Sequence, residues 1–119
     1  MFEKLKPENA ETLHKAVKTF GVNSQEDVAI EEMSELTKAI IKNRRYNTEE
    51  TKANIVEEMA DVWIMLLQLS IIHGFDNEIV DKKINRLKQR LTAEECEISQ
   101  NIESCKDCGF CERKGENDA

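Results

Sequence analysis

Two acidic blocks share one pattern in this chain, Glu31-Glu32-Met33-Ser34-Glu35 and Glu57-Glu58-Met59-Ala60-Asp61. On a helix turning about 100° per residue, Glu32 and Glu35 lie about 60° apart, and so do Glu58 and Asp61. Each pair therefore shares a face. Like charges at that spacing repel, so a purely solvated surface gains nothing from them. Ile30, Met33 and Leu36 flank the first block, and Val56, Met59 and Val62 flank the second, so neither face reads as plainly solvent-side. If the two helices pack side by side, four carboxylates converge on one point. A hard divalent cation with oxygen ligands makes that convergence tolerable, magnesium first and manganese next. The candidate ligands are Glu32, Glu35, Glu58 and Asp61. Either block alone would read as an ordinary solvated face; the repetition argues for a site.

A second constellation involves sulfur. Cys105-x-x-Cys108-x-x-Cys111, with Cys96 nine residues upstream, supplies four thiols. Zinc or an iron–sulfur cluster could use them, and free or redox-active thiols are the other reading. Lys83, Arg86 and Arg90 recur at three- and four-residue spacing and form a basic stripe. Gln25 lies seven residues before Glu32, two helical turns away on the same face. Met65 and Gln68 follow Asp61 on its own face, whereas Trp63 points about 200° away and suits a core or subunit contact. His14 and His73 stand apart from the acids, and the Glu-x-x-His pairs of a di-iron bundle are absent.

Helices must carry these residues. The first is expected from Glu8 to Phe20, stopping at Gly21. The second, capped by Asn23 or Ser24, carries Val28, Ile30, Met33, Leu36, Ile40 and Ile41 and fades at Asn43. A third begins at Asn47 or Thr48 and runs through the most apolar stretch to Gly74. A fourth, capped by Asp76 or Asn77, holds Ile79, Val80, Ile84, Leu87 and Leu91 in helical period. No strand-like alternation appears. Short connections between the segments predict an all-α, antiparallel helical bundle of about four helices. The expected division is a helical domain over residues 1–92 and a helical or irregular cysteine-containing tail over 93–119.

Composition bounds the function. With 119 residues, 17 basic against 24 acidic, the formal charge is -7. Such a chain lacks the basic face that general nucleic-acid binding requires, so a phosphate compound needs a mediating metal. The longest apolar run, Val62 to Ile72, is interrupted by Gln68 and Ser70 and is too short to span a bilayer. No secretory signal is read near the N-terminus, and a cytoplasmic, membrane-free protein is expected. A chain this small buries only about two-thirds of its unfolded surface, so a substantial site implies association into a homodimer or homotetramer.

EExxE followed by EExxD, on two helices of a small all-α domain, resembles the MazG-type all-α nucleoside triphosphate pyrophosphohydrolases, which include dimeric dUTPases and dCTP pyrophosphatases. The resemblance spans roughly Leu13 to Leu91. It implies Glu32, Glu35, Glu58 and Asp61 as magnesium ligands, with Glu31 and Glu57 ordering a water or acting as base. It implies hydrolysis of a nucleoside triphosphate to monophosphate and pyrophosphate, for pool control or house-cleaning. Gln25 then faces the nucleotide, and Lys83, Arg86 and Arg90 face its distal phosphates, with Leu87 where relatives often show asparagine. No glycine-rich phosphate loop is present, so metal ions must hold the triphosphate. The tail thiols Cys96, Cys105, Cys108 and Cys111 would hold a structural Zn²⁺. The competing expectation is a non-catalytic helical interaction module with a metal- or redox-active cysteine tail.

Overall fold

Pro7 opens α1 (Pro7–Phe20) at the helical position where its missing N–H is no loss. The computed structural model describes residues 2–99, with side chains described through Glu94. Among these, the chain is all-α: α1 is followed by α2 (Val22–Tyr46), α3 (Glu49–His73) and α4 (Asn77–Ser99), with no strand. No described helix is long and apolar enough to cross a membrane.

Gly21 alone separates α1 from α2. Its φ of 91° suits glycine, its N–H donates to the Val17 carbonyl at 3.0 Å, and its own carbonyl accepts from the Gln25 N–H at 3.1 Å. One residue thus closes one helix and opens the next, so α2 starts before the Asn23 or Ser24 cap expected from sequence. At its other end α2 runs past Asn43 to Tyr46 because nothing in Arg44-Arg45-Tyr46 breaks a helix, and the two arginines suit a helix C-terminus. Asn47 stops it in the left-handed region, with φ 46° and its N–H on the Asn43 carbonyl at 2.8 Å.

Thr48 caps α3. Its hydroxyl accepts from the Thr51 N–H at 3.1 Å, and Thr51 Oγ1 accepts from the Thr48 N–H at 3.0 Å, a reciprocal box built from two threonines. Thr51 also donates to Asn43 Oδ1 at 2.8 Å, which ties α3 to α2. Gly74, at φ 85°, ends α3 with its N–H on the Ser70 carbonyl at 2.9 Å. Asp76 Oδ1 accepts from the Glu78 N–H at 2.8 Å at the start of α4, and α4 continues beyond Thr92 to Ser99.

Residues up to Phe75 form one compact unit, and α4 belongs to a second, described by itself. In the first unit the two-residue link makes α2 and α3 an antiparallel pair, which is the most extensive packing, and α1 lies against both. Ala29 and Ala39 are buried on α2, where small side chains permit close approach, and Met65 and the fully buried Leu67 are buried on α3. Three polar side chains, Gln25, Thr51 and Gln68, are buried with them. In α4, Val80, Ile84, Leu87 and Leu91 recur along one stripe and are exposed. The thiolate set Cys96, Cys105, Cys108 and Cys111 lies beyond the described side chains.

Candidate metal centre

The antiparallel register of α2 and α3 brings the two acidic blocks to the same level. Oxygen atoms of Glu32, Glu58 and Asp61 all lie within 4.8 Å of one another, one acid from α2 and two from α3. The helical period sets Glu58 beside Asp61, and the hairpin sets both against Glu32. Three of the four expected ligands therefore converge. Glu35, also expected, is exposed and outside that closest group, with its Oε1 3.2 Å from Lys38 Nζ one turn along.

The electrostatics record the crowding. The Glu58 carboxyl is held above the usual range, first by desolvation and then by the charges of Asp61, Glu35, Glu32 and Glu57. Glu35 thus acts on the centre through its field while its side chain engages Lys38. All the donors are carboxylate oxygens, with no thiolate or imidazole among them. That set fits a hard divalent cation, Mg²⁺ or Mn²⁺, with further coordination positions for water or phosphate oxygens.

The other expected residues fall at different places. Glu31 is exposed on α2. Glu57 lines an open cleft with Lys42, Tyr46, Glu50 and Asn54, beside the hairpin tip. Gln25 is 6% exposed, a core position rather than an open groove wall. Lys83, Arg86 and Arg90 are exposed on α4, where Lys83 and Arg86 line a shallow groove with Ile79 and Asn85. Met65 and Gln68 are buried, with Gln68 Nε2 donating to Met65 Sδ at 3.6 Å. Trp63 sits in a groove with Leu5, Leu13, Ile64 and Leu67. His14 stacks on Phe2 at a centroid distance of 6.4 Å, and His73 Nε2 lies 3.6 Å from Glu26 Oε1.

Two features escaped the sequence reading. Thr51 is the polar joint between α2 and α3, and the only signal for it is the Thr48-x-x-Thr51 spacing of a capping box. Gln68 is buried with its Oε1 unpartnered among the described residues, which no periodicity foretells. Comparison with protein-family models, with curated proteins and with solved structures finds no match for this chain. Its described residues are all-α, with four helices and a partly exposed acidic cluster.

Proposed function

We propose that this chain is a magnesium-dependent nucleoside triphosphate pyrophosphohydrolase, a hydrolase of phosphoric anhydrides like the MazG-type enzymes its acidic blocks resemble. The observation that carries the reading is the convergence of Glu32, Glu58 and Asp61 from two separate helices. A cluster of acids raises its own energy, as the upward shift at Glu58 records, and a bound cation reverses that penalty.

Glu32, Glu58 and Asp61 would hold the cation, and Glu35 would join them on leaving its exposed ion pair with Lys38, an interaction worth little. When bound, such a cation would supply positive charge to hold a triphosphate, acidify a water and offset developing charge. Glu31 and Glu57 are assigned to ordering that water or taking its proton. Lys83, Arg86 and Arg90 are assigned to the distal phosphates, in a homodimer or homotetramer. Water adds across the anhydride between the α- and β-phosphates, so one oxygen goes to the monophosphate and the pyrophosphate leaves.

A panel of ribo- and deoxynucleoside triphosphates with magnesium should yield monophosphate and pyrophosphate from at least one member. Orthophosphate as the only product, or no turnover at all, would refute the reading. Glu32→Gln, Glu58→Gln or Asp61→Asn should each lower turnover by about two orders of magnitude or more, because metal positioning and charge stabilisation fail together. The competing reading, a helical interaction module, draws on the exposed stripe Val80, Ile84, Leu87 and Leu91. The two separate cheaply: magnesium should raise the melting temperature of a metal-binding enzyme and leave a mere interaction module unchanged.

A further inference from the structure

Trp63 is the chain's single tryptophan, and it lies two residues past Asp61, about 200° round α3 and so on the side away from the acids. At 46% exposed it is too open for a core residue. With Ile64 and Leu67 it forms one wall of a groove whose other wall is Leu5 together with Asn9, Thr12 and Leu13, which share one face of α1. Leu67, fully buried, closes the bottom.

The size and chemistry of the groove decide what fits it. Its volume is about 310 Å³, at the lower end of the range for small-ligand pockets. Seven residues line it, whereas a stable protein–protein interface uses about 20–30 on each side, so it is too small to be a subunit contact on its own. None of the seven is charged, and an ionised ligand would lose its water there without gaining a partner. The polar groups are few. The Asn9 amide carries an acceptor and two donors, the Trp63 indole carries one donor, and Thr12 Oγ1 donates to the Glu8 carbonyl at 2.9 Å and keeps its lone pairs for accepting. An indole in the wall favours a second ring, offset-stacked or edge to face.

We propose that the groove between α1 and α3 is a binding site for a neutral, flat aromatic molecule with a polar edge, of the aromatic carboxamide class. The ring packs against Trp63 and above Leu67, and the edge exchanges hydrogen bonds with Asn9 and Thr12. The site is separate from the acidic cluster and needs no cation.

The test uses the full chain labelled with ¹⁵N, in which the single tryptophan gives one indole N–H resonance that reports on the groove. Three probes of similar size are titrated: benzamide, benzoate, which carries a charge on the same ring, and cyclohexanecarboxamide, which carries the amide on a ring that is not flat. Benzamide should shift the indole resonance saturably, with a dissociation constant of about 1 mM or tighter, and bind about tenfold more tightly than either of the others. Asn9→Leu should weaken benzamide about tenfold through the lost hydrogen bonds, and Thr12→Phe, which fills the groove, should abolish the shift. Both positions are exposed, so helix content by circular dichroism should be kept, and the comparison of the three probes on the parent chain stands without the variants. Absence of a saturable benzamide shift, equal binding of the three probes or a preference for benzoate overturns the inference. So does parent-like benzamide affinity in either folded variant. An indole resonance that moves on dilution with no probe present gives the groove to a second copy of the chain and overturns it as well.

Discussion

Glu58 is where the charge of the whole cluster is felt. An acid whose folded-state pKa is raised binds its proton more tightly when folded, so folding takes up protons as the pH passes between the two values. Its contribution to stability is full below the ordinary carboxylate value near 4.5 and is lost as pH rises through the raised one. The metal-free protein should therefore lose stability across that interval relative to Glu58→Gln, and the variant should melt higher at neutral pH. Denaturant unfolding of both proteins at a series of pH values checks this. Identical pH profiles, or a parent that gains stability over the variant as pH rises, would contradict it. Magnesium should reverse the order, since the cation stabilises only the charged carboxylates of the parent. The acids were legible in the sequence because their spacing matches the helical period and repeats in two blocks. Which of them meet was not: Glu35 has the right spacing, yet Lys38 lies one turn away to engage it.

The hairpin of α2 and α3 is the element that makes three separate acids into one centre, and its register is pinned at the tip. Thr51 is buried, closes the cap of α3 with Thr48 and donates to Asn43 of α2 at 2.8 Å. Thr51→Val keeps the shape and removes the hydroxyl, leaving the Thr48 N–H and Asn43 Oδ1 without this partner. It should cost about 1–3 kcal/mol in urea unfolding, the usual consequence of losing a cap and a buried hydrogen bond. Because the same joint sets Glu32 against Asp61, the melting shift produced by magnesium should shrink as well. An unchanged magnesium shift would mean that side-chain packing alone holds the register. Helix identities were readable from apolar period, and the stops at Gly21, Asn47 and Gly74 from residue type. The start of α2 was not, since Gly21 at φ 91° lets one residue serve both helices and makes a side-chain cap unnecessary. Burial of Gln25, Thr51 and Gln68 was equally hidden, because polar residues in a core leave no mark in a hydrophobic pattern.

For the whole molecule the question is what covers the apolar surface left over. Flanking the acidic residues in sequence, Ile30, Met33, Val56 and Met59 are exposed, Val56 by 68%. In α4, Ile79, Ile84, Leu87 and Leu91 are each about half exposed, while the described apolar core consists of Ala29, Ala39, Met65 and Leu67. Scattered apolar residues need no explanation on a small protein, but a group flanking a charged centre on both of its helices marks a contact surface. A dimer or tetramer should therefore be seen by light scattering at micromolar concentration. Val56→Glu and Met59→Lys place charges at positions exposed in the single chain, where substitutions are ordinarily near neutral. In an oligomer they should instead shift the mass toward the monomer and lower turnover in step, with helix content by circular dichroism kept. Dilution of the parent should give the same coupled loss. A parent chain that runs as a monomer and still hydrolyses its substrate would show that one copy of α1–α4 suffices, and the apolar rim of the centre would then need another occupant.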